Sequence, residues 1–334
     1  MAQFGIHCYR APDWRRSVVA KIDRGARVYV AGHRGLVGSA LVRRLEAAGF
    51  GNLLMRSRSE LDLTDARATD AYFEREAPEH VFLAAAKVGG ILANSTFPAD
   101  FLRVNLQIQT SVLAAAHRVG VKKLLFLGSS CIYPKLAPQP IKEEYLLTGP
   151  LEATNAPYAI AKIAGLSLCD SYNRQEKTCF IGAMPPNLYG PGDNFDLQTS
   201  HVLPALIRKF HEAKRDGISE VTLWGDGKPL REFLYVDDLA DACLFLMENF
   251  VPDERSMFLN VGCGDEISIR DLAQRVVKIV GYEGEILWDT SKPNGTPRKV
   301  LDLGALNRLG WRPEISLNEG LRRTYDWYCK QSAQ

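Results

Sequence analysis

No run of about 18 apolar residues occurs anywhere in the 334-residue chain, so nothing in it reads as a membrane-spanning helix. There is no CxxC pair and no Cys/His spacing suited to a metal. The seven cysteines are scattered and odd in number, which fits reduced thiols in the cytoplasm better than a disulfide framework. No charge of one sign dominates: 41 basic and 39 acidic side chains leave a net +2, which gives no footing for nucleic acid or a membrane surface. Internal repeats and low-complexity tracts are also missing. What remains is 46% hydrophobic and 24% charged, the mix of a globular protein long enough to bury a large core.

Residues 1–25 stand apart, with Arg10, Arg15, Arg16, Lys21 and Arg24 but no apolar stretch of signal-peptide length, and read as a flexible extension. From there, strand-like apolar runs alternate with helical patterns. Ala26–Ala31, Asn52–Met55, Val81–Ala84, Leu124–Leu127 and Cys179–Met184 read as strands. Leu36–Ala48, stopped by Gly49, and stretches near 65–76, 98–118 and 156–175 read as helices. That alternation predicts an α/β fold, a Rossmann-type doubly wound parallel sheet with ligands at the carboxyl ends of its strands. Beyond residue 190 glycines and prolines loosen the pattern. Helices are expected near 200–214 and 237–249, from the capping box Ser268–Asp271 to Gly281, and from Ser316–Glu319 to Cys329. The division expected is a dinucleotide-binding domain over 26–190 and a smaller lobe, mainly substrate-binding, over 191–334.

The first strand runs into Gly32-His33-Arg34-Gly35-Leu36-Val37-Gly38, a GxxGxxG between strand and helix. The first glycine permits the tight turn, the second lets backbone approach a pyrophosphate, and the third lets helix and strand pack closely. The helix N-terminus then offers free N–H groups to phosphate. The second strand ends in Arg56-Ser57-Arg58, where an NAD enzyme carries a carboxylate for the ribose 2′-hydroxyl. Arg58, with Arg34, suits a 2′-phosphate, so NADP is expected. Asp62 is a candidate for the adenine amino group.

After the fourth strand comes Gly128-Ser129-Ser130-Cys131, and later Tyr158-Ala159-Ile160-Ala161-Lys162. YxxxK puts Tyr158 and Lys162 on one helix face. The ammonium is expected to draw the phenol down toward a working acid/base range, while Ser129 bonds the same substrate oxygen. Cys131, two residues past Ser129, is expected on the same side of extended backbone. On its own residues His201 reads as a helix cap or core histidine, while a small buried hydrophobe at Cys131, a core Trp224 and a structural Arg231 are the plainer alternatives to a role in a site.

Together the glycine fingerprint, the serine strand end and YxxxK resemble the short-chain dehydrogenase/reductase superfamily. Asn187-Leu188-Tyr189-Gly190-Pro191 and Arg231–Asp238 resemble its extended branch, which acts on nucleotide sugars. The runs AGHRGLVGSA (31–40), LAAAKVGGI (83–91), LGSSCIYPK (127–135), NAPYAIAKIAG (155–165), SHVLPALIRKFHEA (200–213) and KPNGTPRK (292–299) are similar to the epimerase/reductases of GDP-linked 4-keto-6-deoxy sugars, over about residues 26–329. The resemblance implies Tyr158 as proton donor at C4, Lys162 as its support, Ser129 orienting the carbonyl, and Cys131 with His201 as the epimerisation pair. It extends the cofactor cradle to His33, Leu36, Val37, Leu63, Ala85, Leu127 and Gly128, with Pro185, Asn187, Leu188 and His201 near the nicotinamide. It places Lys209, Trp224, Arg231, Asn294 and Lys299 at the GDP-sugar, and implies a homodimer through the helices near 98–118 and 156–175. Three positions depart from that pattern: Lys209 stands where Arg is usual, Pro186 where Thr is, and Asn294 where Asp is. The alternative within the branch is a nucleotide-sugar 4-epimerase or a 4,6-dehydratase. The dehydratase lacks its acidic pair here, since Ser130-Cys131 follow Ser129.

Overall fold

The computed structural model describes residues 21–253, 256–292 and 294–332. Most of the expected extension therefore lies outside the described residues. The first half alternates β1 (Val28–Ala31), α1 (Leu36–Ala47), β2 (Leu53–Leu54), α2 (Ala66–Glu76), β3 (His80–Leu83), a short α3 (Ile91–Thr96), α4 (Pro98–Arg118), β4 (Lys123–Leu127), α5 (Ala156–Glu176), β5 (Phe180–Met184) and β6 (Asn187–Tyr189). The second half adds α6 (Val202–Asp216), β7 (Glu220–Trp224), β8 (Leu230–Arg231), β9 (Phe233–Tyr235), α7 (Val236–Asn249), β10 (Phe258–Asn260), β11 (Ile267–Ser268), α8 (Ile269–Val280), β12 (Glu285–Asp289), β13 (Arg298–Lys299), α9 (Gly304–Leu309) and α10 (Leu317–Ser332).

Six strands form one sheet in the order β10-β5-β4-β3-β1-β2, and every neighbouring pair is parallel. Parallel strands buried on both faces need continuous apolar runs, and VYVA, KLLFL and FIGAM supply them. On one face Leu41 and Leu45 of α1 meet Leu239, Cys243 and Leu246 of α7. On the other, Phe73 of α2, Val112 and Ala116 of α4, and Leu166 and Cys169 of α5 cover the strands. A third core, with Leu206 and Phe210 of α6, Leu272 and Val276 of α8, and Leu321 of α10, holds the smaller lobe together.

The expected division at residue 190 is not a clean one in space. After β9 the chain returns to the sheet: α7 packs on α1, and β10 pairs with β5 as the edge strand. The link is reinforced from inside. The buried Lys123 ammonium donates to the carbonyls of Leu246 (3.1 Å) and Met247 (2.8 Å) in the last turn of α7. Burial holds that lysine at about 8. The expected caps are present: Ser268 accepts from the Asp271 N–H at 3.0 Å, and Gly49, at φ +87°, follows α1. Among the described residues no helix is long and apolar enough to cross a membrane, and no group of three or more His, Cys, Asp or Glu is arranged to hold a metal.

Candidate active site

The glycine loop closes on itself between β1 and α1. Gly32 adopts φ +84°, and its carbonyl accepts the Gly35 N–H at 3.0 Å. A Cβ on Gly38 would stand 2.0 Å from that carbonyl oxygen and 2.8 Å from the His33 Cα, so only glycine lets the helix come this close. Gly35 is the N-cap of α1 and supplies no side-chain cap, which leaves the first-turn N–H groups open to an anion. The His33 Nδ1 in this loop is buried without a partner, and burial, with Arg34 beside it, keeps the imidazole below its ordinary range. An open helix start, an orphaned imidazole nitrogen and clearance for backbone only are what a dinucleotide pyrophosphate fits.

At the end of β2 the three basic residues separate. Arg56 is committed, bonding Glu76 at 3.2 Å and lying over the Tyr72 ring. Arg58 is open, with 79% of its side chain exposed and only a 3.7 Å approach to Asp62. Asp62 itself accepts from the Thr64 N–H (3.0 Å) and hydroxyl (2.8 Å), which hold its carboxyl below the usual range. Glu60, the nearby carboxylate most able to repel a 2′-phosphate, is turned onto the Ser57 N–H and hydroxyl at 2.7 and 2.6 Å. Arg34 is also exposed, so two guanidinium groups stand open to solvent here.

At the ends of β4 and β5 the chemistry-bearing side chains meet. Ser129 caps a 3-10 turn over Ser130–Ile132, its hydroxyl accepting the Cys131 N–H at 3.2 Å. This turn corrects the expectation of extended backbone there. It swings Cys131 toward Asn155, whose amide donates to the sulfur at 3.4 Å, and toward Lys299, whose ammonium lies 3.7 Å from it. Lys162 donates to the Leu127 carbonyl at 2.7 Å and sits 4.8 Å above the Phe126 ring; burial lowers it to about 8. The expected depression of the Tyr158 phenol is not found. Burial raises it, Cys131 adds to the rise, and the Ser129 hydroxyl only partly opposes it. Tyr158 therefore keeps its proton at neutral pH, the state a proton donor needs. His201 is the N-cap of α6 and partly open to solvent; loss of hydration around its ring first, and the Lys299 ammonium second, hold the imidazole below its ordinary range. Lys299 thus adjoins both Cys131 and His201.

The wall beyond is built by the smaller lobe. Alternation along β7 leaves Thr222 and Trp224 outward, and Trp224 is 61% exposed. Lys209 reaches toward the Thr222 carbonyl at 3.4 Å, and the Asn294 side-chain oxygen accepts the Asp226 N–H at 2.9 Å. A Cβ on Gly295 would meet Arg231 Nη2 at 3.5 Å, so Arg231 borders the same loop. Beneath it Glu232 is wholly buried; its carboxylate accepts the N–H groups of Cys263 (2.7 Å), Gly264 (2.9 Å) and Leu301 (2.9 Å), and its own carbonyl accepts from Asn187 at 2.9 Å. Sequence reasoning gave Glu232 and Asn155 no role. Nothing in their local spacing marks them, because their partners lie 24 to 69 residues away.

A doubly wound parallel sheet with a glycine cradle at its first turn and Ser, Tyr and Lys at the next strand ends defines a dinucleotide-dependent oxidoreductase. Residues 28–262 match the NAD dependent epimerase/dehydratase family, and the chain belongs to it. It is 58% identical over 308 residues to GDP-L-fucose synthase 1 of Arabidopsis thaliana, covering 92% of this chain and 94% of that protein. It is 54% identical over 310 residues to GDP-L-fucose synthase of Escherichia coli (strain K12), covering 91% and 97%. The GDP-mannoheptose C4 reductase from Campylobacter jejuni, solved with NADP bound, superposes with a TM-score of 0.85 at 39% identity, covering 92% and 99%.

Proposed function

We propose that this protein converts GDP-4-keto-6-deoxy-D-mannose to GDP-L-fucose by 3,5-epimerisation and NADPH-dependent 4-reduction. The observation that carries the reading is that two sets of groups come together: Ser129, Tyr158 and Lys162, and Cys131 and His201, both of which feel the Lys299 ammonium. The first set reduces a carbonyl and the second moves protons at the neighbouring carbons. The relatives named above support the same substrate class and cofactor. The Ser130-Cys131 pair offers no carboxylates for a dehydratase.

Gly32 to Gly38 with Arg58, Asp62, Leu63 and Ala85 would hold the dinucleotide, and Leu127, Gly128, Lys162, Pro185, Asn187, Leu188 and His201 would hold its nicotinamide end. NADPH bound there supplies the hydride for C4. The chain's residues do the rest. Ser129 and Tyr158 hold the C4 oxygen, so charge developing on it as an enolate is met by hydrogen bonds. As a thiolate Cys131 removes the proton at C3, the C–H electron pair entering the enolate; the resulting thiol gives its proton to solvent, and the thiolate then does the same at C5. His201 returns a proton from the other face and takes another from solvent before the second inversion. After both inversions Tyr158 protonates the C4 oxygen. Lys209, Trp224, Arg231 and Asn294 hold the GDP, the Asn294 side-chain oxygen also fixing its loop through the Asp226 N–H.

The domain roles proposed are cofactor binding by 26–190 and mainly substrate binding by 191–334, with α7 and β10 returned to the sheet. We further infer a homodimer through α4 and α5, where Ile160 is left 48% exposed, and a cytoplasmic location. The test is NADPH oxidation against a panel of nucleotide-linked 4-keto sugars. One NADPH consumed per GDP-4-keto-6-deoxy-mannose, with little turnover of uridine or thymidine congeners, is expected. Turnover without net NADPH consumption would overturn the reading in favour of a 4-epimerase.

A further inference from the structure

Asn155 is the N-cap of α5, a position where an asparagine side chain ordinarily accepts an N–H of the first helical turn. It makes no such bond here. Its amide instead donates to the Cys131 sulfur at 3.4 Å, across 24 residues of sequence. Its Oδ1 is buried with no partner at all, a costly state for an amide oxygen. The helix thus forgoes its cap for a contact with one thiol. Asn155, Tyr158 and Lys162 stand at spacings of three and four residues, on one face of α5. One rigid helix therefore presents groups to the sulfur, to the carbonyl and to the nicotinamide end of the cleft.

We propose that Asn155 is a positioning residue for epimerisation: its amide fixes the Cys131 sulfur and serves both of its protonation states. With the proton gone, Nδ2–H donates to the negative sulfur, alongside the Lys299 ammonium at 3.7 Å. After the sulfur takes a proton from carbon, half a turn of the amide brings the otherwise orphaned Oδ1 to accept from S–H. No charge is left unmet at either stage. The assignment of the proton transfer to Cys131 rests on the function proposed above; the Asn155 contact to the sulfur does not.

The experiment separates a helix cap from a sulfur partner. Aspartate caps helices as well as asparagine does, and its charge is favourable at a helix N-terminus, but it cannot donate to sulfur. In Asn155→Asp the melting temperature should hold or rise and NADPH affinity should be unchanged. Alkylation of Cys131 by iodoacetamide at pH 7.5, read peptide by peptide by mass spectrometry, should slow about tenfold, since the thiolate is the reacting form and loses a hydrogen bond to its charge. Solvent deuterium entry at C3 and C5 of the GDP-4-keto sugar should slow with it. Asn155→Ser, which also caps but is one atom shorter, is the second variant and should behave likewise. Alkylation at the wild-type rate in both variants would overturn the proposal, as would slowed alkylation with undiminished deuterium entry. If the unaltered protein exchanges no deuterium, the function proposed above fails, and the alkylation rates alone still decide whether Asn155 acts on the sulfur.

Discussion

Two glycines of the fingerprint can be told apart by adding one methyl group to each. At Gly38 the new Cβ would lie 2.0, 2.6 and 2.8 Å from Gly32 O, Gly32 C and His33 Cα, all backbone atoms that cannot turn aside. Overpacking of this kind costs about 1–3 kcal/mol, and for a chain of this size each kcal/mol lowers Tm by roughly 2–4 °C. Gly38→Ala should therefore melt several degrees lower, before any cofactor is added. At Gly35 the Cβ would meet only Gly32 O, at 3.5 Å, an ordinary contact, and the backbone there, at φ −78°, suits alanine. Gly35→Ala should keep its Tm to within a degree or two. The methyl would, however, fill the space above the open start of α1 that a pyrophosphate must enter. Displacing the phosphate from even one charge-assisted hydrogen bond costs about 1.5–3 kcal/mol, a roughly ten- to hundredfold rise in the Kd for NADPH. Differential scanning fluorimetry and a fluorescence titration of NADPH read the two effects. A Gly35→Ala protein that binds NADPH with unaltered Kd would refute the placement of the cofactor at this loop.

Arg58→Ala should weaken NADPH far more than NADH, because the freed guanidinium serves only the 2′-phosphate; equal losses in a titration would remove that role. Tyr158→Phe should slow C4 reduction about 10²–10⁴-fold while leaving NADPH bound, since general acid catalysis is worth about that much; reduction at the normal rate would mean another group is the acid. Lys162 carries a pH prediction. Its folded value is depressed to about 8 against an ordinary 10.5, so between about pH 8 and 10.5 the unfolded chain binds its proton more tightly than the folded one. The stability it carries rises with pH across that window and is at its lowest below it. The denaturant-derived stability of the unaltered protein relative to Lys162→Met should thus improve by about 1 kcal/mol per pH unit from 8 upward, and a flat difference would contradict the burial argument.

Much of this was legible in the sequence because it is written in short-range patterns. The glycine triplet, the apolar strands and the YxxxK pair each depend on spacings of a few residues, and they fold as read: α1, α4 and α5 fall within a residue or two of their expected bounds. What the sequence concealed depends on distance. The return of α7 and β10 to the sheet follows from packing of Leu239 and Leu246 against α1, which no local pattern announces. The direction of the Tyr158 shift came out opposite to expectation because spacing shows a lysine nearby but not how deeply the phenol is buried. Cys131 left the extended path because the Ser129 hydroxyl captures its N–H and starts a 3-10 turn. The short strands β6 to β9 and β11 to β13, of two to five residues each, pair in small sheets of their own and carry too few residues for periodicity to show.

The central claim is that one cleft inverts two carbons and then reduces a third. The measurement that tests it most directly is turnover of GDP-4-keto-6-deoxy-D-mannose with NADPH in deuterium oxide, the product read by NMR, for the unaltered protein and for Cys131→Ser and His201→Gln. GDP-L-fucose carrying solvent deuterium at C3 and C5 is expected from the unaltered protein. The cysteine variant should lose that label, the histidine variant should be impaired in labelling, and both should retain NADPH binding. A reduced product with no deuterium at either carbon, or full labelling at both carbons in both variants, would contradict it.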